Sequence, residues 1–296
     1  MKIKQLSSVN DRYFASRKVK VDKRLKQLFA GADATFDTSS LESALTYTLL
    51  QGGKRIRPLL AIAVYELYRA DIERIIDPAC ALELIHTGSL MLDDLPSMDN
   101  AGHRRGVETS HVVHGESVTI LASAGLWVRT FDILAKLEDI RINELVRATS
   151  QHLGQQGLVL GQYLDLFASS KIKTLAQLEK SYELKTAALF RLAVMYGGYL
   201  GGASVVDMKA LDAFARHLGI AFQIRDDIID VTQDLAESGK DAHMDEINHK
   251  PNYVSLLGVD GAKLKLKSHI KEAQSALDRV DRDCKFLQQM TAQLAM

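Results

Sequence analysis

Cysteine and proline are scarce in this chain. Of 296 residues only Cys80 and Cys284 are cysteines, and two thiols cannot build a disulfide framework or a four-cysteine zinc site. Cys80 lies in the apolar run Ala79-Cys80-Ala81-Leu82 and reads as a small buried hydrophobe. The only prolines, Pro58, Pro78, Pro96 and Pro251, leave long stretches free to be helical. Net charge is lacking too, because 37 Lys plus Arg balance 37 Asp plus Glu. That balance argues against a protein whose whole surface binds nucleic acid or an anionic membrane. The longest stretch free of Asp, Glu, Lys, Arg and His, Leu192 to Val206, is interrupted by Gly197, Gly198, Gly201 and Gly202 and is too short to span a bilayer. Met1-Lys2-Ile3-Lys4 opens the chain with basic residues but no continuous apolar run, so no signal peptide is expected. The expected location is the cytoplasm.

What is present is the composition of an ordinary globular protein, 47% apolar and 25% charged. No repeat and no Ser/Gly/Pro-rich linker divides the chain, so residues 1–296 read as a single domain. Residues 1–30 suggest an amphipathic first helix, and 31–40 a loop in which Thr38-Ser39-Ser40 can cap a helix starting near Leu41. From there the apolar period is close to 3.6: Leu59, Ile62, Ala63, Leu67; Leu82, Ile85, Ser89, Leu92; Leu211, Phe214, Ala215, Leu218, Phe222. Strand-like alternation is rare, and no Asn-Gly or Asp-Gly hairpin signal joins two strand-like runs. The expected fold is an all-α bundle of roughly ten or more helices, able to enclose a polar cavity between facing helices.

Two acidic clusters rise above this background. In Gln223-Ile224-Arg225-Asp226-Asp227-Ile228-Ile229-Asp230, Asp226 and Asp230 are one turn apart on the same helix face. The first cluster is Asp93-Asp94-Leu95-Pro96-Ser97-Met98-Asp99. Asp93 and Asp99 would be about 240° apart on a continuous helix. Pro96 disfavours helix at Leu95, so the chain can turn there and bring Asp99 back toward Asp93. His86 lies two turns before Asp93 on the same face. An isolated Asp pair is commonly a cap or a solvated surface feature; two clusters, each ending an apolar helix, are not. Carboxylates brought together repel unless a cation intervenes. Oxygen ligands without His or Cys suit Mg²⁺, which shares itself readily with phosphate oxygens.

Basic residues complement the acids. Gly52-Gly53-Lys54-Arg55-Ile56-Arg57-Pro58 sets three cations beside two glycines, without the spacing of a P-loop. His103-Arg104-Arg105-Gly106 follows the first acidic cluster. With Lys185-Thr186, Lys240 and Lys250 these form a set suited to diphosphate.

In these motifs the chain resembles the trans-type isoprenyl diphosphate synthases, and among them the short-chain bacterial farnesyl type. The likeness runs from about Leu41 to beyond Gly258. It also includes Gly161-Gln162-Tyr163-Leu164-Asp165-Leu166 and Phe222-Gln223. The order and spacing of the motifs carry it. The resemblance implies the isoprenoid synthase bundle, a homodimer, with the acidic clusters facing across a central cavity. It implies that Asp93, Asp99 and Asp226 hold about three Mg²⁺ around an allylic diphosphate, with Asp94, Asp227 and Asp230 assisting. Arg104, Lys185, Lys240 and Lys250 would bind that diphosphate. Lys54, Arg57, His86 and Arg105 would hold isopentenyl diphosphate. The Lys185 carbonyl, Thr186 and Gln223 would stabilise an allylic cation.

Four positions depart from the family pattern: Ala101-Gly102-His103 in place of acidic residues, Ser123-Ala124 in place of Gly-Asp, His243 in place of glycine, and Asn252-Tyr253 in place of Thr-Tyr. None is a primary metal ligand. Product length is set in the resembled proteins near the end of the first aspartate helix. There this chain has Gly88 and Ser89, where the bacterial farnesyl type is usually aromatic. Met91, Leu121 or Trp127 could fill the gap. The expected product is C15, with C20 as the alternative. A terpene cyclase would have no use for Lys54, Arg57, His86 and Arg105. A non-catalytic synthase subunit would be expected to lose aspartates, and all six are present.

Overall fold

The structure is a computed structural model that describes residues 9–29, 39–167, 171–232 and 251–294. Helices α1 (Val9–Leu28), α2 (Ser39–Leu50), α3 (Ile56–Glu66) and α4 (Glu73–Asp93) are followed by a short ribbon, β1 (His103–Arg104) and β2 (Val107–Glu108). Then come α5 (Ser110–His114), α6 (Glu116–Ala135), α7 (Ile142–Leu153), α8 (Leu158–Phe167) and α9 (Leu175–Tyr182). A π-helical turn, Glu183–Ala187, leads into α10 (Ala188–Gly201). The series closes with α11 (Val205–Thr232), α12 (Tyr253–Leu277) and α13 (Lys285–Ala292). The all-α expectation is met, apart from the ribbon. The helix foreseen near Leu41 starts at Ser39; Thr38 lies outside the described residues.

The bundle is centred on α4. Ile75, Ala79, Cys80, Leu82, Leu84 and Ile85 are all fully buried. A helix apolar on nearly every side belongs inside a bundle. By length and composition α4 and α6 could each cross a membrane, but 72% of the apolar window of α4 is buried inside the protein. α4 packs on α6, α3 and α10, and α11 packs most extensively on α12. Leu211, Phe214, Leu218, Ile224 and Ile228 form the buried stripe of α11, at the helical spacing visible in the sequence. Consequently the C-terminal ends of α4 and α11, where the acidic residues lie, are fixed by core packing on the rest of each helix.

Candidate functional site

The first acidic cluster folds back on itself. α4 ends at Asp93, and the Asp99 N–H donates to the Asp93 carbonyl at 2.9 Å. The Ala101 N–H reaches the Asp94 carbonyl at 3.1 Å, so the turn foreseen from Pro96 is present. Burial pushes Asp93 up to about 6, opposed by Lys185 and reinforced by Asp99. Asp94 is itself buried. It accepts from Arg104 Nε at 2.7 Å and from Arg104 Nη2 at 2.6 Å.

Arg104 reaches Asp94 from the β1–β2 ribbon, which the sequence did not announce. Its turn residues, Arg105 and Gly106, both have positive φ, 56° and 81°. That is the geometry Asn-Gly usually supplies; an Arg-Gly pair gives no such warning.

On α11 the second cluster divides. Asp226 and Asp230 are half-buried on one face. Asp227 is buried, accepting from the Tyr182 hydroxyl at 2.7 Å, the Tyr253 N–H at 3.0 Å and Gln223 Nε2 at 3.3 Å. It therefore ties α11 to the ends of α9 and α12. Asn252, one of the four departures, caps α12, accepting from the Ser255 N–H at 2.8 Å.

A cleft of about 100 Å³ is lined by Asp99 of the first cluster together with Asp165, Lys185, Thr186 and Gln223, the last lying one helical turn before Asp226 and Asp227 on α11. Lys185 and Thr186 come from the π turn, a widened turn that is frequent at functional sites. α8 backs this turn at Gly161, where a Cβ would sit 2.4 Å from the Lys185 backbone nitrogen. Lys185 Nζ pairs with Asp165 Oδ2 at 2.6 Å. The Thr186 hydroxyl donates to Gln223 Oε1 at 2.8 Å. Asp165 was part of a recognisable motif, but its place in the cleft rests on a lysine twenty residues away.

A cluster of basic residues lies near the acidic ones, Arg57 feeling Asp226 and His86 feeling Arg57, Arg105 and Arg104. The Arg57 guanidinium lies 5.0 Å above the Phe190 ring, and its Nε is buried without a partner. Burial pushes Arg57 down to about 10, against the attraction of Glu83 and Asp226. His86 is held well below its ordinary value by burial first and then by Arg57, Arg105 and Arg104, so it stays neutral. Burial also lowers Arg105, whose Nη1 donates to the Gly52 carbonyl. Lys54 is exposed. Lys240, Lys250 and His243 lie outside the described residues.

Gly88 does not face open space. A Cβ there would lie 2.7 Å from Trp127 Nε1 and 3.2 Å from the Ser123 carbonyl. Trp127 Nε1 donates to the Ile85 carbonyl at 3.0 Å, and the Ser123 hydroxyl to the Gly88 carbonyl at 2.8 Å. The gap expected at Gly88 is thus filled from α6 by Trp127. Leu121, the other α6 candidate, is 63% exposed. Ser89 donates to the His86 carbonyl.

For a metal the donor set is carboxylate oxygen. Among the described residues no three His, Cys, Asp or Glu side chains close on one point. The carboxylates therefore make no complete metal cage by themselves; Mg²⁺ is an ion that needs only one or two carboxylates and completes its shell with water and phosphate oxygens. Burial, and after it the charge of Asp99, raises Asp93, and a cation there would oppose both effects.

Residues 38–287 match the model of the polyprenyl synthetase family. The chain is 41% identical over 250 residues to a farnesyl diphosphate synthase of Geobacillus stearothermophilus, covering 83% of this chain and 84% of that one. It is 37% identical to a chloroplastic geranylgeranyl pyrophosphate synthase of Capsicum annuum, covering 91% and 73%. Among solved structures it resembles a Helicobacter pylori geranyltransferase complexed with magnesium and isoprenyl diphosphate. That match has TM-score 0.85, 33% identity and 98% coverage of both chains.

Proposed function

The chain belongs to the polyprenyl synthetase family, and from that premise we propose that it is a short-chain isoprenyl diphosphate synthase. It joins isopentenyl diphosphate head-to-tail to dimethylallyl or geranyl diphosphate and makes farnesyl diphosphate. The observation that supports this reading is the grouping of Asp99, Asp165, Lys185, Thr186 and Gln223 at one cleft, with a separate basic cluster of Arg57, His86 and Arg105, in which Arg57 feels the charge of Asp226. Two diphosphate-binding sites are what a two-substrate condensation needs and a cyclase does not.

In this reading Asp93, Asp99, Asp226 and Asp230 hold about three Mg²⁺, with Asp94 and Asp227 bracing them from behind. Bound there, Mg²⁺ neutralises the departing diphosphate. Lys185 and Arg104, with Lys240 and Lys250, bind that diphosphate as charge-assisted donors. As the allylic C–O bond breaks, the Lys185 carbonyl, the Thr186 hydroxyl and the Gln223 amide oxygen direct negative dipoles at the allylic cation. The isopentenyl double bond then attacks, and the released diphosphate takes the proton. Arg57, Lys54, His86 and Arg105 hold the isopentenyl diphosphate in line. Neutral His86 contributes a hydrogen bond without adding charge. Closure of the cleft excludes water, which would otherwise quench the cation.

A C20 product is the second reading, favoured by the likeness to the Capsicum protein. Residues 1–296 act as one domain in the cytoplasm. A homodimer is favoured by the outer face of α6, where Ile120, Leu121 and Val128 are 46%, 63% and 69% exposed; gel filtration with light scattering tests it. The activity is tested by incubating the protein with isopentenyl diphosphate, each allylic primer and Mg²⁺, and separating the products by chromatography. A C15 product that requires Mg²⁺ is expected. No elongation with any primer refutes the reading.

A further inference from the structure

The three cations of Lys54-Arg55-Ile56-Arg57 face three different ways. Lys54 is exposed and the Arg57 guanidinium lies against Phe190, while Arg55 is only 3% exposed. Every nitrogen of the Arg55 guanidinium has a partner. Nε donates to Asp22 Oδ1 at 2.8 Å, Nη1 to Glu83 Oε1 at 2.6 Å, and Nη2 to the Leu49 carbonyl at 2.7 Å. Arg55 thereby joins α1, the end of α2 and the middle of α4 at one point. Its own backbone is left-handed, with φ 52° and ψ 35°. A non-glycine residue persists in that region only when its surroundings hold it there. Its carbonyl accepts the first bond of α3, from the Leu59 N–H at 3.0 Å, so this residue sets the direction in which α3, and Arg57 with it, leaves the loop.

Asp22 is the unexpected member. It lies on α1, whereas the family match begins at residue 38. Its other oxygen, Oδ2, is taken by Lys18 Nζ at 2.5 Å. On the opposite side the loop is held at the Gly52 carbonyl by Arg105. The loop thus has two anchors, one in the proposed substrate pocket and one outside it.

We propose that α1 belongs to the isopentenyl diphosphate machinery: Asp22, with Glu83, pins Arg55 and thereby holds Lys54 and Arg57 in their binding positions. Asp22 is a positioning residue and touches no substrate; its assignment rests on the reading of Lys54 and Arg57 given above. An Arg guanidinium does not shed its proton, so without Asp22 the buried cation keeps Glu83 as its one charged partner beside the Leu49 carbonyl, and the loop leaves its binding geometry more readily. Apparent affinity falls with the fraction of molecules in the competent state, while a saturated enzyme regains it. Loss confined to binding raises KM and spares kcat.

The test is steady-state kinetics of the full chain with each substrate varied in turn, for Asp22→Ala, Asp22→Glu, Arg24→Ala and Arg57→Ala. Arg24 pairs with Asp77 at 2.6 Å and ties α1 to α4 away from Arg55. Asp22→Ala should raise KM for isopentenyl diphosphate about fivefold, leaving kcat and the allylic KM within about twofold, as expected if the competent fraction falls to about one in five. Asp22→Glu should recover most of the loss, and Arg24→Ala should leave both KM values unchanged. If Asp22→Ala cannot be recovered folded, Asp22→Asn, which keeps an acceptor but not the charge, carries the same expectation. An unchanged isopentenyl KM in the Asp22 variants, while Arg57→Ala raises it, overturns the proposal alone. Equal rises for Arg24→Ala and Asp22→Ala, or equal rises in both substrates' KM, also overturn it. If Arg57→Ala itself spares isopentenyl diphosphate, the reading of that pocket fails and the proposal with it.

Discussion

Adding one methyl group at Gly88 should destabilise the protein through Trp127. Its Cβ would sit 2.7 Å from Trp127 Nε1 and 2.9 Å from Cδ1, about 0.8 Å inside a normal contact of roughly 3.5 Å. The indole is rigid, and the Ser123 carbonyl at 3.2 Å closes the other side. Overpacking of this kind costs about 1–3 kcal/mol. Displacing the indole also loses its bond to the Ile85 carbonyl, worth about 0.5–1.5 kcal/mol. Against this, Gly→Ala within a helix gains about 1 kcal/mol. Gly88→Ala should therefore lose about 1–3 kcal/mol. In a Trp127→Ala background the obstruction is gone, and the same substitution should become stabilising by about 1 kcal/mol. A double-mutant cycle by urea unfolding reads a coupling of about 2–4 kcal/mol. Products made by the same variants report on chain length: Trp127→Ala should shift the mixture from C15 toward C20. If Gly88→Ala is more stable than the parent, or the cycle is additive, Trp127 does not occupy the space over Gly88 and the account of the missing aromatic is wrong.

Removing a carboxylate of the second cluster, as in Asp226→Ala, should lower turnover by more than about 10²–10³-fold with helicity unchanged by circular dichroism; near-normal activity at saturating Mg²⁺ would exclude Asp226 as a ligand. Lys185→Ala should weaken the allylic substrate by about 1.5–3 kcal/mol while sparing isopentenyl diphosphate, and equal damage to both in initial-rate measurements counts against the division into two pockets. A pH effect should come from the α11–α12 seam, where His217 Nδ1 lies 3.0 Å from His269 Nδ1. Burial, with Arg216 nearby, lowers His217, and burial pushes His269 down to about 4 despite Glu179. The unfolded chain takes up its proton near the ordinary value of 6.5, before the folded one does. The stabilisation is therefore complete above 6.5 and falls away as pH drops toward about 4, amounting to about 2 kcal/mol lost by roughly pH 5. His269→Gln should lose this part of the pH dependence, and parallel urea-midpoint profiles for parent and variant would show that the pair does not titrate as described.

The chain's helices and the ends of α4 and α11 were legible because both depend on near neighbours. A 3.6-residue period places Leu211, Phe214, Leu218 and Ile224 on one buried face whatever they pack against. Pro96 stops a helix by a clash with its own neighbours, so Asp99 returns to Asp93 as the sequence implies. Similar residues in one motif were not distinguishable in this way. Asp93 and Asp94 are adjacent, yet Asp94 is held by an arginine on a ribbon with no recognisable turn pair. Asp226 and Asp227 are adjacent, yet Asp227 serves Tyr182 and Tyr253, which arrive from α9 and α12. Trp127 covers Gly88 from across a helix interface, and Asp22 reaches Arg55 from a helix outside the family match. Each of these partners is brought close by the packing of whole helices. The sequence by itself determined which residues share a helix face, because that follows from backbone geometry. Only the tertiary structure decided which member of each pair stays part-exposed and which is buried against a distant partner, because that choice depends on groups joined only when the core closes.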